Sequence, residues 1–309
     1  MLKFKFLICL IGLLCGSVSC ERYKNIWFPK INRATLHREF TKNQFDHVHI
    51  DHQNISQITK GLLWELTAVK KLEIELCQVR TIEEGAFKRM ARMEKLSLKH
   101  NLLEEIKNNV FKDLSIEELD LSNNQIKTIS EQAFADMRQL RSINLSNNKI
   151  AVYHNKWFAD TQKLHEINFE NNLIKVLPET IFGINFFTFS YMSFIFSHNQ
   201  IEEIDEKAFK KVFYLNKLYL DHNTITTLPR NLFSWTHRVE DLRLDHNRIV
   251  CTALNIKHVK KYNVDDNPWN QECLQAFKNG EDGTVTSSTT PLPSTTSTKR
   301  SRDNFIRIG

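Results

Sequence analysis

The sequence predicts an α/β solenoid, a fold in which one short unit is stacked many times along the chain. The template L-x-x-L-x-L-x-x-N-x-L-x-x-I-x-x-x-x-F fits the chain from Ile116 and again from Leu140, and related matches recur at intervals of 20 to 27 residues, most often 24. The alternating apolar residues at its start predict a short strand with one buried face. Strands that recur at a single period pair in parallel when the units stack.

Ten matches to the template organise residues 45–273. Each match is one repeat, and its positions are counted from its first residue. The repeats begin at Phe45, Val69, Met93, Ile116, Leu140, Leu164, Tyr191, Leu215, Val239 and, in shortened form, Val259. The repeat before Tyr191 is three residues longer than the common period, which leaves the register of residues 184–197 open.

The composition is that of a folded protein. Of the 309 residues, 41% are hydrophobic and 25% are charged, which supplies a core and excludes general disorder. The formal net charge is +6, and no run of lysine and arginine exceeds three residues. Nucleic acid is therefore not an expected partner.

Residues 1–20 have the layout of a secretory signal peptide. Lys3 and Lys5 precede an apolar run from Phe6 to Cys15, and small residues follow. The run is short for a bilayer span, and no later stretch is long and apolar enough to cross one. We expect a secreted, extracellular chain with no membrane span; the alternative is an uncleaved anchor at residues 1–20.

Two columns of buried residues follow from the repeat period. Position 9 is asparagine in eight repeats, where its amide can satisfy backbone groups of neighbouring turns as a structural ladder. These residues are Asn101, Asn124, Asn148, Asn172, Asn199, Asn223, Asn247 and Asn267. Position 19 is phenylalanine in seven repeats, at Phe87, Phe111, Phe134, Phe158, Phe182, Phe209 and Phe233. Because their spacing is the repeat period, we interpret these rings as core and not as a ligand site.

The repeated template resembles the leucine-rich repeat family over about residues 45–273. The resemblance implies a horseshoe with a parallel concave β-sheet and an irregular or 3-10 convex side. Gln53 and Cys77 stand at position 9 of the first two repeats, and cysteine is a familiar substitute there in the family. We therefore interpret Cys77 as a buried thiol and not as a nucleophile.

The end of the array resembles the cysteine-flanked cap of extracellular family members. The sequence Asn-Pro-Trp at residues 267–269 is followed by Cys273, although Gln271 stands where the first cap cysteine is expected. The resemblance then makes Cys251 the partner of Cys273 in a disulfide, which the oxidising extracellular compartment favours.

These features divide the chain into five segments. Both ends of a stacked array must be capped, and Ser/Thr/Pro-rich sequence cannot form a core. We predict a signal peptide at 1–20, an N-terminal cap at 21–44, nine repeats at 45–258, a shortened last repeat with a C-terminal cap at 259–279, and a disordered Ser/Thr-rich tail at 280–309.

The concave sheet is the expected binding surface, because a rigid scaffold presents its exposed side chains at positions 2, 3, 5, 7 and 8. These 50 positions hold 16 carboxylates and nine lysines or arginines, so the face is acidic on a basic molecule. An acidic face favours a basic partner; the alternative is an ordinary solvated surface. The candidate binding residues are His198, His222, His246, Asp221, Asp245, Tyr219, Arg243, Asp120 and Glu118.

Histidine is concentrated on this face, which carries eight of the 12 in the chain. His198, His222 and His246 occupy position 8 of consecutive repeats and are expected to lie one above another. A histidine column can bind a metal or respond to acid. Asp-His-Asn is, however, a frequent form of this segment in extracellular repeats, and the sequence predicts neither a cofactor nor a metal.

Two modifications can change the surface of a secreted chain. The sequons at Asn54 and Asn144 are predicted glycosylation sites, and a glycan on Asn144 would stand in the middle of the concave face. Cys20, if it survives signal cleavage, is unpaired and can link two chains into a dimer.

The sequence favours a recognition protein and not an enzyme. No G-x-S-x-G, H-E-x-x-H or P-loop pattern occurs, and an open sheet gives little shelter to catalysis. The resemblance extends to secreted arthropod leucine-rich repeat proteins, including mosquito immune proteins and Toll-type ectodomains. It implies binding of an extracellular protein or glycan in innate immunity or signalling; the alternative is a matrix or adhesion component.

Overall fold

The computed structural model describes residues 23–26, 45–64, 66–112, 114–181, 188–250, 254 and 256–279. It contains seventeen strands and one helix in these ranges. In chain order they are β1 Tyr23–Ile26, β2 His47–Asp51, β3 Gln57–Ile58, β4 Lys71–Glu75, β5 Thr81–Ile82, β6 Lys95–Ser97, β7 Glu105–Ile106, β8 Glu118–Asp120, β9 Thr128–Ile129, β10 Ser142–Asn144, β11 Glu166–Asn168, β12 Val176–Leu177, β13 Thr188–Ile195, β14 Glu203–Ile204, β15 Val212–Tyr219, β16 Arg238–Arg243, β17 Val259–Asn263 and α1 Gln271–Asn279.

One parallel sheet of eleven strands runs the length of the array, with strand order β1-β2-β4-β6-β8-β10-β11-β13-β15-β16-β17. The register places equivalent positions side by side: Ser142 lies beside Glu118 on one side and Glu166 on the other. Each strand therefore pairs with the strand one repeat earlier and one repeat later. The predicted solenoid with a parallel sheet is confirmed.

The opposite side of the array is made of turns and three small strand pairs, β3-β5, β7-β9 and β12-β14. Each of these strands is two residues long. The described residues of this side contain no 3-10 helix, so the irregular alternative applies there.

The core lies between the sheet and these turns. Alternate strand residues such as Leu119 and Leu121 are fully buried, which a strand with one inward face requires. The phenylalanines at position 19 stack behind them, with ring centroids 5.9 Å apart for Phe87 and Phe111 and 5.7 Å apart for Phe134 and Phe158. Phe182 lies outside the described residues, and the rest of this column is buried core.

Position-9 asparagines connect each turn to the one before it. The Nδ2 of Asn148 donates to the carbonyl oxygen of Leu121 in the preceding repeat and to that of Leu145 in its own. Its Oδ1 accepts the backbone N–H of Ile126 at 3.0 Å. The same three kinds of bond recur at Asn101, Asn124, Asn172, Asn199, Asn223, Asn247 and Asn267.

The extra residues before the Tyr191 repeat are absorbed at the start of a long strand. The pairing of β13 with β15 shifts twice, between Thr188 and Tyr191 and between Met192 and Ser193. From Ser193, which pairs with Lys217, the register is that of the other repeats. The bulges confine the irregularity to the start of β13 and keep the later positions in their columns.

The two ends of the array are described only in part. Strand β1, in the predicted N-terminal cap, extends the sheet by pairing in parallel with β2. At the other end α1 packs Phe277 against Trp269, with ring centroids 4.8 Å apart. Cys273 is disulfide-bonded, but Cys251 lies outside the described residues, so that pairing stays a prediction.

The signal peptide, Cys20 and the tail at 280–309 also lie outside the described residues, and the five segment boundaries stay predictions. Within the described ranges, no helix has the length and apolar character needed to cross a membrane.

Replacing Asn148 with alanine is expected to lower the free energy of unfolding by about 1–3 kcal/mol, because it leaves the buried N–H of Ile126 without its acceptor and removes one of the two amide donors at the carbonyls of Leu121 and Leu145. Urea unfolding followed by circular dichroism measures the change. Asn147→His is the matched control, since Asn147 is exposed and histidine stands at the same position in other repeats. Equal stability of Asn148→Ala and the control would contradict a structural role for the amide.

The Cys77 thiol is expected to resist alkylation in the folded chain. It donates hydrogen bonds to the carbonyl oxygens of Ile50 and Glu75, and burial raises its pKa to about 11. At about pH 8 roughly one thiol in a thousand is then ionised. Site-specific mass spectrometry after iodoacetamide treatment tests this, with the denatured chain as control; modification at equal rates in both states would refute it.

Candidate binding surface on the sheet face

The sheet face is defined by the side chains at positions 2, 3, 5, 7 and 8 of each repeat. Parallel register sets each position into a column that crosses the strands at about 4.8 Å per step. The column at position 5, for example, runs from His49 through Glu73 and Asp120 to Tyr219 and Arg243. Neighbours on this surface are therefore residues from successive repeats.

In the first half of the face, from the repeat at Phe45 to the repeat at Leu140, five of the eight carboxylates are paired with lysine or arginine. Glu73 is held by Lys71 at 2.9 Å and by His47 at 2.7 Å. Burial by itself would raise the pKa of Glu73, but the hydrogen bonds from Lys71 and His47 outweigh it and lower the pKa below its ordinary value. Lysine or arginine also pairs with a carboxylate at Lys70–Glu94, Lys95–Glu118, Lys99–Glu75 and Arg141–Glu117.

The second half of the face, from the repeat at Leu164 onward, has more carboxylates without a lysine or arginine partner. Among the described residues, six of its carboxylates have no lysine or arginine nitrogen within 4.0 Å. They are Glu166, Glu170, Asp221, Asp245, Asp265 and Asp266. Glu240 and Asp241 differ, because Lys260 and Lys261 each lie 3.1 Å from one of them. Carboxylates without a lysine or arginine partner are thus more frequent in the repeats from Leu164 onward, although the formal excess of acid is similar in the two halves: eight carboxylates against five basic residues in the first, and eight against four in the second.

Tyr219 and Arg243 form a stacked pair at position 5 of adjacent repeats. The guanidinium carbon of Arg243 lies 4.0 Å from the centre of the Tyr219 ring. The Tyr219 hydroxyl donates to Asp241 at 3.1 Å, and Asp241 also accepts from Lys261. Burial and the hydrogen bond to Asp241 raise the pKa of Tyr219. Tyrosine and arginine are both enriched among the residues that dominate the energy of protein interfaces.

His198, His222 and His246 form one stack beside this pair. Successive ring centroids are 4.1 Å apart, and the planes are tilted by 29° and 9°. The Nδ1 of His222 lies 3.1 Å from Asp221, and that of His246 lies 3.0 Å from Asp245. The three imidazoles and the two carboxylates therefore form a single cluster.

Position 8 has a backbone reason to be histidine. Each of the three residues has a positive φ of 53–56°, and so has position 8 of the other repeats, including Asn123, Asn147 and Leu76. Asparagine, aspartate and histidine are the non-glycine residues that tolerate this left-handed conformation best. Position 8 therefore lies in the turn that ends the strand. The alternation of apolar and polar residues in the sequence does not indicate where this turn begins.

The structure separates the candidate binding residues into two groups. The histidine column, its two aspartates, Tyr219 and Arg243 are neighbours in the repeats from Tyr191 to Val239. Glu118 and Asp120 lie on β8, four strand steps from β15, which is about 19 Å. Glu118 is paired with Lys95 at 2.7 Å. They belong to a shallow depression of about 300 Å³ in the middle of the face.

One aromatic contact was missed from the sequence. Tyr191 and Tyr214 lie side by side at the start of β13 and β15, with ring centroids 5.1 Å apart, and Tyr191 is exposed. Tyr191 occupies position 1, which is normally apolar and buried. A tyrosine in that place was the available signal, but the uncertain register of residues 184–197 hid it.

The chain belongs to the leucine-rich repeat family. The BspA type leucine rich repeat region matches residues 18–101 and 56–183, in six copies, and a further leucine rich repeat matches residues 192–249. Together they include most of the array described above. No curated protein matches the chain.

Solved structures of similar fold include several complexes. The Toll–Spatzle complex of Drosophila development and innate immunity matches with a TM-score of 0.70 at 18% identity, covering 83% of this chain and 35% of that chain. The TLR13–ssRNA13 complex matches at 0.67 and 18% identity, covering 77% and 38%. The mouse RP105/MD-1 complex matches at 0.63 and 19%, covering 75% and 40%. At this identity the likeness shows the fold, and the chain spans between a third and two-fifths of each.

Glycosylation of Asn144 is expected to cover the middle of the face. Asn144 lies half-buried in β10, three strand steps or about 14 Å from Tyr219, and lines the shallow depression. Intact-mass measurement before and after enzymatic deglycosylation, on the secreted chain and on Asn144→Gln, tests occupancy. Asn54→Gln is the control for the second sequon, which is exposed. Identical masses for Asn144→Gln and the unchanged chain, apart from the substitution itself, would exclude this glycan.

Proposed function

We propose that the chain is a secreted recognition protein that binds an extracellular protein carrying exposed lysine or arginine. The contact is made by the second half of the sheet face, around Tyr219 and Arg243. The observation that carries this proposal is the coincidence, in the same half of the face, of six carboxylates that have no lysine or arginine partner with the stacked Tyr219–Arg243 pair.

The first half of the face supports the same choice by contrast. It has the same scaffold and many charges, but its lysines and arginines are already paired with carboxylates on the same or on neighbouring strands. Surface ion pairs of this kind contribute little to stability or binding, because they gain little over their hydration. A partner therefore finds unmatched charge mainly in the repeats from Leu164 onward.

Charge also favours a protein over RNA, although one of the similar structures is a complex with single-stranded RNA. Binding a phosphate backbone requires a surplus of lysine and arginine. The second half of the face has a surplus of carboxylates. A basic protein surface is the complementary choice, and attraction over this distance speeds association.

The proposed role is recognition in innate immunity or extracellular signalling, by a non-enzymatic scaffold. It rests on the signal-peptide layout of residues 1–20 and on the fold shared with the Toll and RP105 structures. A matrix or adhesion role remains the second proposal, because repeats with Asp-His-Asn segments also resemble small leucine-rich proteoglycans. Expression raised by microbial challenge supports the first, and constant deposition in basement membrane supports the second.

The proposal predicts capture that depends on the Tyr219–Arg243 pair. The chain is immobilised and exposed to extracellular fluid of its source organism, and retained proteins are identified by mass spectrometry. The double variant Tyr219→Ala/Arg243→Glu is expected to lose at least about 10-fold in affinity for a genuine partner, as expected when an interface hot spot is removed. Retention is also expected to weaken as salt rises.

The control is Lys127→Glu, a charge reversal of similar kind on the opposite side of the array, where Lys127 pairs with Glu104. It is expected to retain the same partner as the unchanged chain. A partner held equally by all three chains, or lost from the control alone, would refute binding through the second half of the sheet face.

A further inference from the structure

The histidine column holds a buried carboxylate oxygen that has no hydrogen-bond partner. Asp245 is 8% exposed, and its Oδ1 contacts no donor, while its Oδ2 lies 3.0 Å from Nδ1 of His246. A buried, unpartnered charged oxygen is costly, because the protein does not replace the water that it loses. Such an atom in a native site calls for an occupant that satisfies it.

The repeat one step earlier shows what is missing. Asp221 occupies the same position 7, and its Oδ1 accepts the hydroxyl of Ser197 at 2.7 Å. For Asp245 the residue one repeat earlier is Asp221 itself, which is a second carboxylate and supplies no proton. Two buried carboxylates thus follow one another at strand spacing, and the charge-pairing groups near them are the imidazoles of His222 and His246.

The imidazoles of His222 and His246 place nitrogen ligand atoms beside the carboxylate oxygens of Asp245. Ligand atoms of His222, Asp245 and His246 all lie within 4.8 Å of one another. The two histidine side chains are 38% and 47% exposed, so they can turn toward a shared centre. Asp266 lies 3.1 Å from Nε2 of His246 and adds a carboxylate at the rim.

We propose that His222, Asp245 and His246 bind one divalent transition-metal ion, with zinc as the representative ion. Two imidazole nitrogens and a carboxylate oxygen form a ligand set that suits Zn²⁺, Ni²⁺ and Cu²⁺, whereas Ca²⁺ and Mg²⁺ prefer oxygen alone. The ion supplies the positive charge that the paired aspartates lack. It also joins two successive repeats at the edge of the Tyr219–Arg243 surface.

The related group His198, Asp221 and His222 is the weaker choice, although its ligand atoms are equally close. Both oxygens of Asp221 are already engaged, by Ser197 and by His222. His222 is common to the two groups. One ion per chain is therefore expected, and His198 is not required to hold it.

Isothermal titration of the full chain with zinc, prepared without a histidine tag, tests the proposal. One zinc per chain is expected, no heat is expected with Ca²⁺, and Co²⁺ is expected to give the visible absorption of a tetrahedral site. His222→Asn and His246→Asn are each expected to weaken zinc binding at least 10-fold. These variants preserve the fold, because asparagine occupies position 8 with the same positive φ at Asn123, Asn147 and Asn171.

His100→Asn is the matched control, since His100 also occupies position 8 with a φ of 55° but lies outside the cluster. It is expected to bind zinc like the unchanged chain. Asp245→Ser is expected to weaken zinc binding and to raise the Tm of the metal-free chain, because it removes the orphaned carboxylate and serine is found at position 7 of other repeats.

Three results would overturn the proposal: no zinc binding by the unchanged chain, equal binding by the His222 and His246 variants, or an equal loss in His100→Asn. Thermal melting of every variant separates a lost ligand from a lost fold. The measurement uses no protein partner, so its failure leaves the proposed recognition of a basic protein untouched.

Discussion

The hydrogen bonds of the position-9 asparagines are the constraint on which the array depends. A single turn is too short to bury its own backbone, and each asparagine amide joins the carbonyls and N–H groups of two successive turns inside the coil. Position 8, just before each asparagine, has the left-handed conformation, and so has position 8 before Gln53 and Cys77. Because these hydrogen bonds hold successive turns in register, they also align the exposed side chains on the sheet face into columns.

Stacking at a fixed period has an electrostatic consequence. A residue type that recurs at one position lies beside an identical residue in the next repeat. The same side-chain interaction, attractive or repulsive, is therefore repeated along the column. At position 8 this produces the imidazole stack from His198 to His246. At position 7 the stacking places the carboxylate of Asp245 beside the carboxylate of Asp221, whereas several other repeats have an uncharged serine at this position. Stacking at a fixed period brings phenylalanine rings together in the core, which is favourable. It also brings carboxylates together on the sheet face, which is unfavourable.

The sequence was sufficient for features that follow from the period alone. Residues that are one period apart in the sequence become neighbours in the structure. The period therefore predicts the strand positions, the parallel sheet, the phenylalanine column and the places of the asparagines. The pairs of Glu73 with Lys71 on its own strand and with His47 on the neighbouring strand depend on side-chain reach and could not be read from spacing. The bulges in β13 were equally hidden, because a three-residue insertion fits several registers. The orphaned oxygen of Asp245 required knowledge of which side chains reach it.

The difference between the two halves of the sheet face argues for function more strongly than their total charge does. Both halves share one fold and one solvent, yet lysine or arginine pairs with five of the eight carboxylates in the early repeats and with two of the eight in the later ones. Glu118 with Lys95 shows that the scaffold can neutralise acid where nothing else is needed. Asp245 is buried, and its Oδ1 has no hydrogen-bond partner, which costs stability. A cost retained in the same repeats as the half-buried Tyr219–Arg243 pair supports the proposed cation and the proposed partner.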